Sequence, residues 1–297
     1  MSPVIFEIGP VSVRWYGLMY VVAIIVGIVL VNREVKRRGL AMSLDDILDF
    51  VLITIPIAII CARLYYVIFS WHYYGQNLAS IYKIWEGGLA IHGGLIGGAI
   101  ALIIFSKWKK ISFWQFADII APALVLGQAL GRFGNFMNGD AYGTPTDLPW
   151  GIIFPSSSPA GTAYRETPIH PTMLYEMTGD LLIFGLLMYL RTKPFRYGFL
   201  ISVYGILYSG LRFVIEMFRG DPLCVLTGTA CTPPPLTDQS TPLPSVSLFE
   251  SLKVAQIISV LIILIFGYIM LRKKLYKQDN PDMQPPAHKT PEQPSAA

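Results

Sequence analysis

Gly131-Arg132-Phe133-Gly134-Asn135-Phe136-Met137-Asn138-Gly139-Asp140-Ala141-Tyr142-Gly143 follows directly on an apolar run, Phe113 to Leu130. The run is long enough to cross most of a bilayer's ~30 Å of hydrocarbon, and the stretch that ends it is built differently. Glycine costs ~1 kcal/mol at an interior helical site, so the stretch is expected to leave the helix and bend. Into that bend the chain places Arg132, Asn135, Asn138 and Asp140, all strong hydrogen-bonding groups. Polar, irregular backbone beside lipid survives only where protein buries it or where it lines a wet cavity. The stretch therefore reads as a binding site for an anionic head group.

Working outward, the rest of the chain is mostly apolar. Of 297 residues, 53% are hydrophobic and only 14% charged, too few polar groups for a soluble domain. Spans are expected at Tyr16 to Val31, Ile47 to Phe69, Leu89 to Phe105, Phe113 to Leu130, Met173 to Leu190, Phe199 to Phe218 and Val254 to Leu271. The fold class is an all-α, polytopic membrane protein of about seven transmembrane helices. Its membrane domain takes in residues 1–277, with an irregular, Pro-rich periplasmic head at 136–170 and a periplasmic loop at 219–248. Residues 278–297 form a polar, Pro-rich tail of disordered composition. Met1 to Val13 lacks a basic start and contains Pro3, Glu7 and Pro10, so it reads as an interfacial lead-in and not as a removable signal.

The basic residues set the orientation. Arg33, Lys36, Arg37 and Arg38 follow the first span, and Lys107, Lys109 and Lys110 the third. Arg191, Lys193 and Arg196 follow the fifth, and Arg272, Lys273, Lys274 and Lys277 the seventh. Collected on the cytoplasmic side, they put the N-terminus and the head outside and the C-terminus inside. The net charge of +4 is explained in the same way, without an acidic soluble partner. Cys61 reads as a packing residue, and Cys224 and Cys231 could pair if their loop faces an oxidising space.

With that orientation, the unusual polar groups gather at one depth, the outer-leaflet half. Tyr16, Arg63, His92, Arg132, Asn135, Arg212 and Glu216 come from five spans, and Tyr208 shares a helix face with Arg212 and Glu216. An ionisable residue inside a span is a functional hypothesis by default, because leaving it unpaired costs several kcal/mol. Each has a plainer explanation as well. Arg212 and Glu216, one turn apart, could be a satisfied ion pair; Arg219 could snorkel to the interface; Tyr16 could belong to an aromatic belt. Arg63 has Asp118 and Glu86 as alternative structural partners, and His170 could cap the fifth span. Around His92, the pairs Gly93/Gly97 and Gly94/Gly98 are small-residue spacings that let helices approach closely.

Several motifs in order make the chain resemble the bacterial prolipoprotein diacylglyceryl transferases. They are Trp15-Tyr16-Gly17-Leu18-Met19-Tyr20, His92-Gly93-Gly94-Leu95-Ile96-Gly97, Gly131 through Gly139, His170-Pro171-Thr172-Met173-Leu174-Tyr175-Glu176, and Arg212-Phe213-Val214-Ile215-Glu216-Met217-Phe218-Arg219. The resemblance implies a seven-span enzyme of the inner membrane that moves diacylglycerol from phosphatidylglycerol to the lipobox cysteine of a preprolipoprotein. Glycerol 1-phosphate is released, and no metal or organic cofactor is needed. The partners implied are phosphatidylglycerol, lipobox-containing preprolipoproteins and membrane lipids, with no nucleic acid. By similarity, His92, Arg132, Arg212, Tyr208 and Tyr16 are the catalytic set. Asn135, Asn138, Asp140, Gly143, Glu216 and Arg63 join Arg132 in binding substrate. Asp140 stands where many members carry glutamate, one methylene longer.

The chemistry asks for these residue types. A thiol of pKa ~8.5 must be made thiolate, which suits His92, with Tyr16 or a carboxylate as alternatives. A departing phosphate gains charge, and the planar guanidinium fork matches it where an ammonium does not. The runner-up reading is a transporter or channel for an anionic solute. It would want polar groups through the whole membrane depth, and the cytoplasmic halves of these spans are almost purely apolar. No internal repeat is evident either. An intramembrane protease lacks its motifs: there is no His-Glu-x-x-His, Gly-x-Ser-x-Gly or Gly-x-Gly-Asp.

Overall fold

The computed structural model describes residues 3–9, 11–221 and 253–280. Cys224, Cys231 and most of the 219–248 loop lie outside the described residues, as does the tail beyond Asn280. Among the described residues seven helices are long and apolar enough to cross a membrane. They are α1 (Trp15–Arg37), α2 (Leu44–Phe69), α3 (Ile91–Trp108), α4 (Phe113–Asn138), α5 (Thr172–Leu190), α6 (Phe199–Ile215) and α7 (Val254–Arg272). A 3-10 turn, Glu216–Phe218, extends α6. Large apolar side chains such as Leu52, Leu182 and Leu264 are exposed, as spans that face hydrocarbon require. The described residues divide into two compact units, one taking those up to Gly27 and those from Ala121 onward and the other residues 28–120.

The smaller unit is organised by glycine contacts between α2 and α3. A Cβ on Gly93 would stand 2.3 Å from the Cys61 carbonyl oxygen, and one on Gly97 would stand 2.7 Å from Ala58 Cα. Gly94 and Gly98 face no atom within 4 Å, so only one of the two small-residue pairs serves the helix contact. Phe50, Phe105 and Phe116 pack with ring centroids 5.0–5.2 Å apart. Ser43 caps α2 in a reciprocal capping box with Asp46, and Lys109 after α3 bonds the same carboxylate. Glu34 accepts hydrogen bonds from both Arg37 and Arg38.

The larger unit begins with a β-hairpin, β1 (Val4–Ile8) and β2 (Val11–Arg14), where the sequence suggested only an interfacial lead-in. Gly9 turns it with a φ of 58°. Along α5 the buried residues Met173, Glu176, Asp180, Ile183 and Leu187 fall on one face. Met173 belongs to an apolar cluster with Phe154, Ala160 and Ile169, which closes the irregular segment between α4 and α5. Ile183 and Leu187 belong to a second cluster with Ala121, Val125, Phe199, Leu200 and Leu275. The two acids therefore sit between two apolar layers. Gly179 meets Leu211 and Gly205 meets Phe266, each closely enough that a Cβ would clash at 2.5–2.6 Å. Past α7 the chain stays tied down through Asn280, whose N–H bonds Pro194 and whose side chain bonds Phe195, while Arg196 pairs with Asp279.

One expectation is corrected. The chain does not bend at Gly131: α4 continues through Arg132 and Asn135 to Asn138. Helical propensity is a weak prior that tertiary contact outweighs, and here a Cβ on Gly134 would stand 3.4 Å from the Tyr16 ring. The turn comes at Gly139, with a φ of 72°, where Asp140 N–H reaches back to Asn135 C=O at 3.2 Å. That is a left-handed helix cap, the usual task of a glycine after a final Asn. Any Cβ at Gly139 would also strike Ser158 at 2.7 Å.

Candidate active site

Because α4 stays helical, Arg132 and Asn135 are three residues apart on one face. Arg132 Nη1 donates to Asn135 Oδ1 at 3.3 Å, and Arg132 Nη2 donates to Glu176 Oε1 at 2.7 Å. The other oxygen of Glu176 accepts from Arg212 Nη1 at 3.0 Å, and Tyr208 OH donates to Oε1 at 3.2 Å. One carboxylate of α5 thus gathers an arginine from α4 and an arginine and a tyrosine from α6. Its side chain is 1% exposed, while those of Arg132 and Arg212 are 16% and 19% exposed. The carboxylate is the buried back of the cluster and the guanidiniums are its accessible front.

The network extends in both directions. Asn135 Nδ2 donates to Tyr16 OH at 2.6 Å and to Asp140 Oδ1 at 2.9 Å, so α1 and the turn after α4 are held together. Arg212 Nη2 pairs with Glu216 at 2.5 Å. Lys253 donates its ammonium to the Glu216 carbonyl, and burial pushes that ammonium's pKa down. Arg219 closes on Asp221 at 2.7 Å, and its backbone bridges Gly143. Gly143 has no room for a side chain, since a Cβ would lie 2.4 Å from the His170 carbonyl oxygen. Asn138 is the last residue of α4. Seven of the residues singled out from the sequence therefore share one hydrogen-bonded network: Tyr16, Arg132, Asn135, Asp140, Tyr208, Arg212 and Glu216.

His92 and Arg63 belong to the smaller unit. His92 stands in the first turn of α3, partly buried, its ring 5.9 Å from that of Tyr65. Arg63 is 4% exposed and fully committed. Its Nε donates to Ile81 C=O at 2.8 Å, Nη1 to Gly87 and Gly88 at 2.6 and 3.0 Å, and Nη2 to Ser80 and Lys83 at 2.6 and 3.3 Å. A guanidinium has five N–H groups, and all five are spent on main-chain carbonyls, which leaves none for an anion. Glu86, one suggested partner, pairs instead with Lys83 at 3.3 Å.

Sequence reasoning missed two residues. Glu176 was visible only as the end of a motif, yet it is the hub. Asp180, one turn further along α5, is fully buried, and neither of its oxygens has a hydrogen-bond partner among the described residues. The signal was available: two acids in place of apolar residues on the buried stripe of a span, where charges need partners. Outside the network, His170 sits at the entry to α5, 3.3 Å from Tyr175 OH, and burial pushes its pKa down. Trp150 donates to the same hydroxyl at 2.7 Å. A cavity of about 530 Å³ lined by Ile153, Phe154, Ser156, Gly161, Arg165 and Glu166 contains none of the site residues. Among the described residues no group of three His, Cys, Asp or Glu side chains could hold a metal ion.

Two guanidiniums from different spans thus converge on one buried carboxylate while part of each stays accessible. A family model described as prolipoprotein diacylglyceryl transferase matches residues 3–272. Curated relatives agree with it along most of their length. The chain is 46% identical over 225 residues to the phosphatidylglycerol–prolipoprotein diacylglyceryl transferase of Acaryochloris marina, covering 75% of this chain and 81% of that one. It is 38% identical over 283 residues to the enzyme of that name from Thermosynechococcus vestitus, covering 94% and 96%. It is 44% identical over 232 residues to that from Geobacillus kaustophilus, covering 75% and 83%.

Proposed function

The chain belongs to the prolipoprotein diacylglyceryl transferase family, and from that premise we propose how its residues divide the work. It is a transferase that moves the diacylglyceryl group of phosphatidylglycerol to the thiol of a prolipoprotein. We place the acceptor at the lipobox cysteine of the signal peptide, with a thioether formed and glycerol 1-phosphate released. The carrying observation is the meeting of Arg132 and Arg212, from two different spans, on Glu176. The relatives named above are all transferases, so the anion-transporter reading finds no support.

In the proposed step the thiol sulfur attacks the glyceryl carbon. The carbon–oxygen bond breaks, and its electron pair leaves with the phosphate. Arg132 and Arg212 hold the phosphate oxygens as their charge grows, which is where pre-placed donors in a low dielectric favour a transition state most. Asn135, fixed by Tyr16 and Asp140, orients Arg132, and Tyr208 shares the hydrogen bonding around Glu176. His92 is our candidate for taking the thiol proton, with Tyr16 as the alternative. Glu216 steadies Arg212, and Gly143 keeps the wall beside His170 close. Arg63 we assign to holding the 80–88 segment in place and not to substrate.

The setting that fits is the bacterial inner membrane, with the N-terminus periplasmic, the C-terminus cytoplasmic and the site in the outer-leaflet half. The basic residues that follow α1, α3, α5 and α7 support that orientation. Both substrates are lipid-bound, so the site must open sideways. The test is incubation of the purified protein with phosphatidylglycerol and a lipobox peptide, followed by mass analysis of the cysteine. A mass gain of one diacylglyceryl group is expected, with glycerol 1-phosphate in solution. An unmodified cysteine, with anion uptake in vesicles instead, would overturn the reading.

A further inference from the structure

We infer that Glu176 sets the charge selectivity of the phosphate seat, so that a phosphodiester carrying one negative charge is held and a phosphomonoester carrying two is let go. The inference rests on the proposed transfer reaction and adds a specificity-determining residue to it.

Formal charges at the seat cancel. Arg132 and Arg212 face Glu176 and Glu216, at 2.7, 3.0 and 2.5 Å. The surrounding charges cancel again: Arg219 and Lys253 are offset by Asp221 and by Asp140, which lies on Asn135. Asp180, buried beyond Glu176, brings no positive charge. An arriving anion meets the partly exposed guanidiniums and not the buried carboxylate, so the front attracts while the back limits the total. One negative charge can be met by the remaining N–H donors of the two forks. A second would enter a cluster that the first has already made net negative, with no further cation to balance it.

The reaction supplies that second charge. Phosphatidylglycerol is a phosphodiester with one negative charge. When the carbon–oxygen bond breaks and the sulfur–carbon bond forms, the electron pair leaves on the phosphate oxygen. The product is a phosphomonoester whose second ionisation lies near pH ~6, so it carries close to two charges at neutral pH. The seat that binds the substrate therefore disfavours the product, and release of product is a step that limits many enzymes. Without Glu176, two arginines with one remaining counter-charge would retain the dianion.

The experiment compares two soluble inhibitors of transfer near neutral pH, glycerol 1-phosphate and the free diester head group glycerophosphoglycerol. Wild type should bind the diester ~10-fold more tightly than the monoester. In Glu176→Gln the monoester should gain ~10-fold or more relative to the diester, and Glu176→Asp, which keeps the charge, should restore the wild-type order. Damage to the fold would weaken both inhibitors together and leave their ratio alone. A wild type that binds the monoester as tightly as the diester overturns the inference, and so does a Gln variant with an unchanged ratio. Should Glu176→Gln fail to fold, the wild-type ratio decides. Absence of any transfer in wild type would instead sink the reaction itself, a separate outcome.

Discussion

Arg63 of α2 gives all its N–H groups to the carbonyl oxygens of residues 80–88, whereas Arg132 and Arg212 share one carboxylate and stay partly uncovered. All three lie inside spans, and from the sequence all three were candidates for contacting substrate, Arg63 with Asp118 and Glu86 as alternative structural partners. The difference is in what they face. Carbonyl oxygens arranged around a guanidinium satisfy it completely and fix the backbone that carries them, so such an arginine is a staple. A carboxylate shared between two guanidiniums leaves donors over and concentrates positive potential on the open side. Depth in the membrane tells that an arginine is costly; the identity of its partners tells what it is for.

The largest effect is expected at Arg132. Arg132→Lys keeps the charge and loses the fork. Transfer should fall ~10²–10³-fold, the range seen when one preorganised donor to a developing anion is removed. The folded state should survive, since an ammonium can still reach Glu176. Transfer measured beside thermal unfolding separates the two, and near-normal transfer would erase the distinction between the arginines. Arg63→Lys should behave the other way. Three donors replace five, so at least two buried carbonyls lose their partners, a cost of about 2–4 kcal/mol. That should appear as a lower melting temperature and faster proteolytic cutting within residues 80–88. The KM for phosphatidylglycerol should move far less than in Arg132→Lys. A collapse of transfer at unchanged stability would return Arg63 to the phosphate group.

Most of the architecture could be read from the chain. Apolar runs of bilayer length and the basic residues between them gave the spans, because hydrocarbon leaves a backbone little choice but helix. The Gly93/Gly97 contact was legible as a spacing, but the parallel pair Gly94/Gly98 carried the same signature with no neighbour in contact. Spacing shows which residues share a face and not which face meets a partner. The continuation of α4 to Asn138 was hidden for a related reason. Glycine propensity is local, while the contact between Gly134 and Tyr16 joins residues far apart in sequence. At the site, arginines and histidine stood out because they are rare inside spans. Glu176 did not, although its place on the buried stripe Met173, Glu176, Asp180, Ile183, Leu187 required cationic partners.

Asp180 is a buried carboxyl with no hydrogen-bonded partner among the described residues, and here the expected effect is the smallest. Both of its oxygens are buried without a hydrogen bond among the described residues. Leucine has the same branched skeleton with methyl groups in place of the oxygens, and the neighbouring stripe positions Ile183 and Leu187 show that the face accepts branched aliphatic side chains. Replacing an unsatisfied buried polar group by an apolar one of like shape is neutral to stabilising. Asp180→Leu should therefore raise stability by about 1–2 kcal/mol, read as a melting temperature a few degrees higher, with transfer little changed. A variant that unfolds earlier would mean that Asp180 is held by a partner after all. It would then belong with Arg63, among the charges that build the fold.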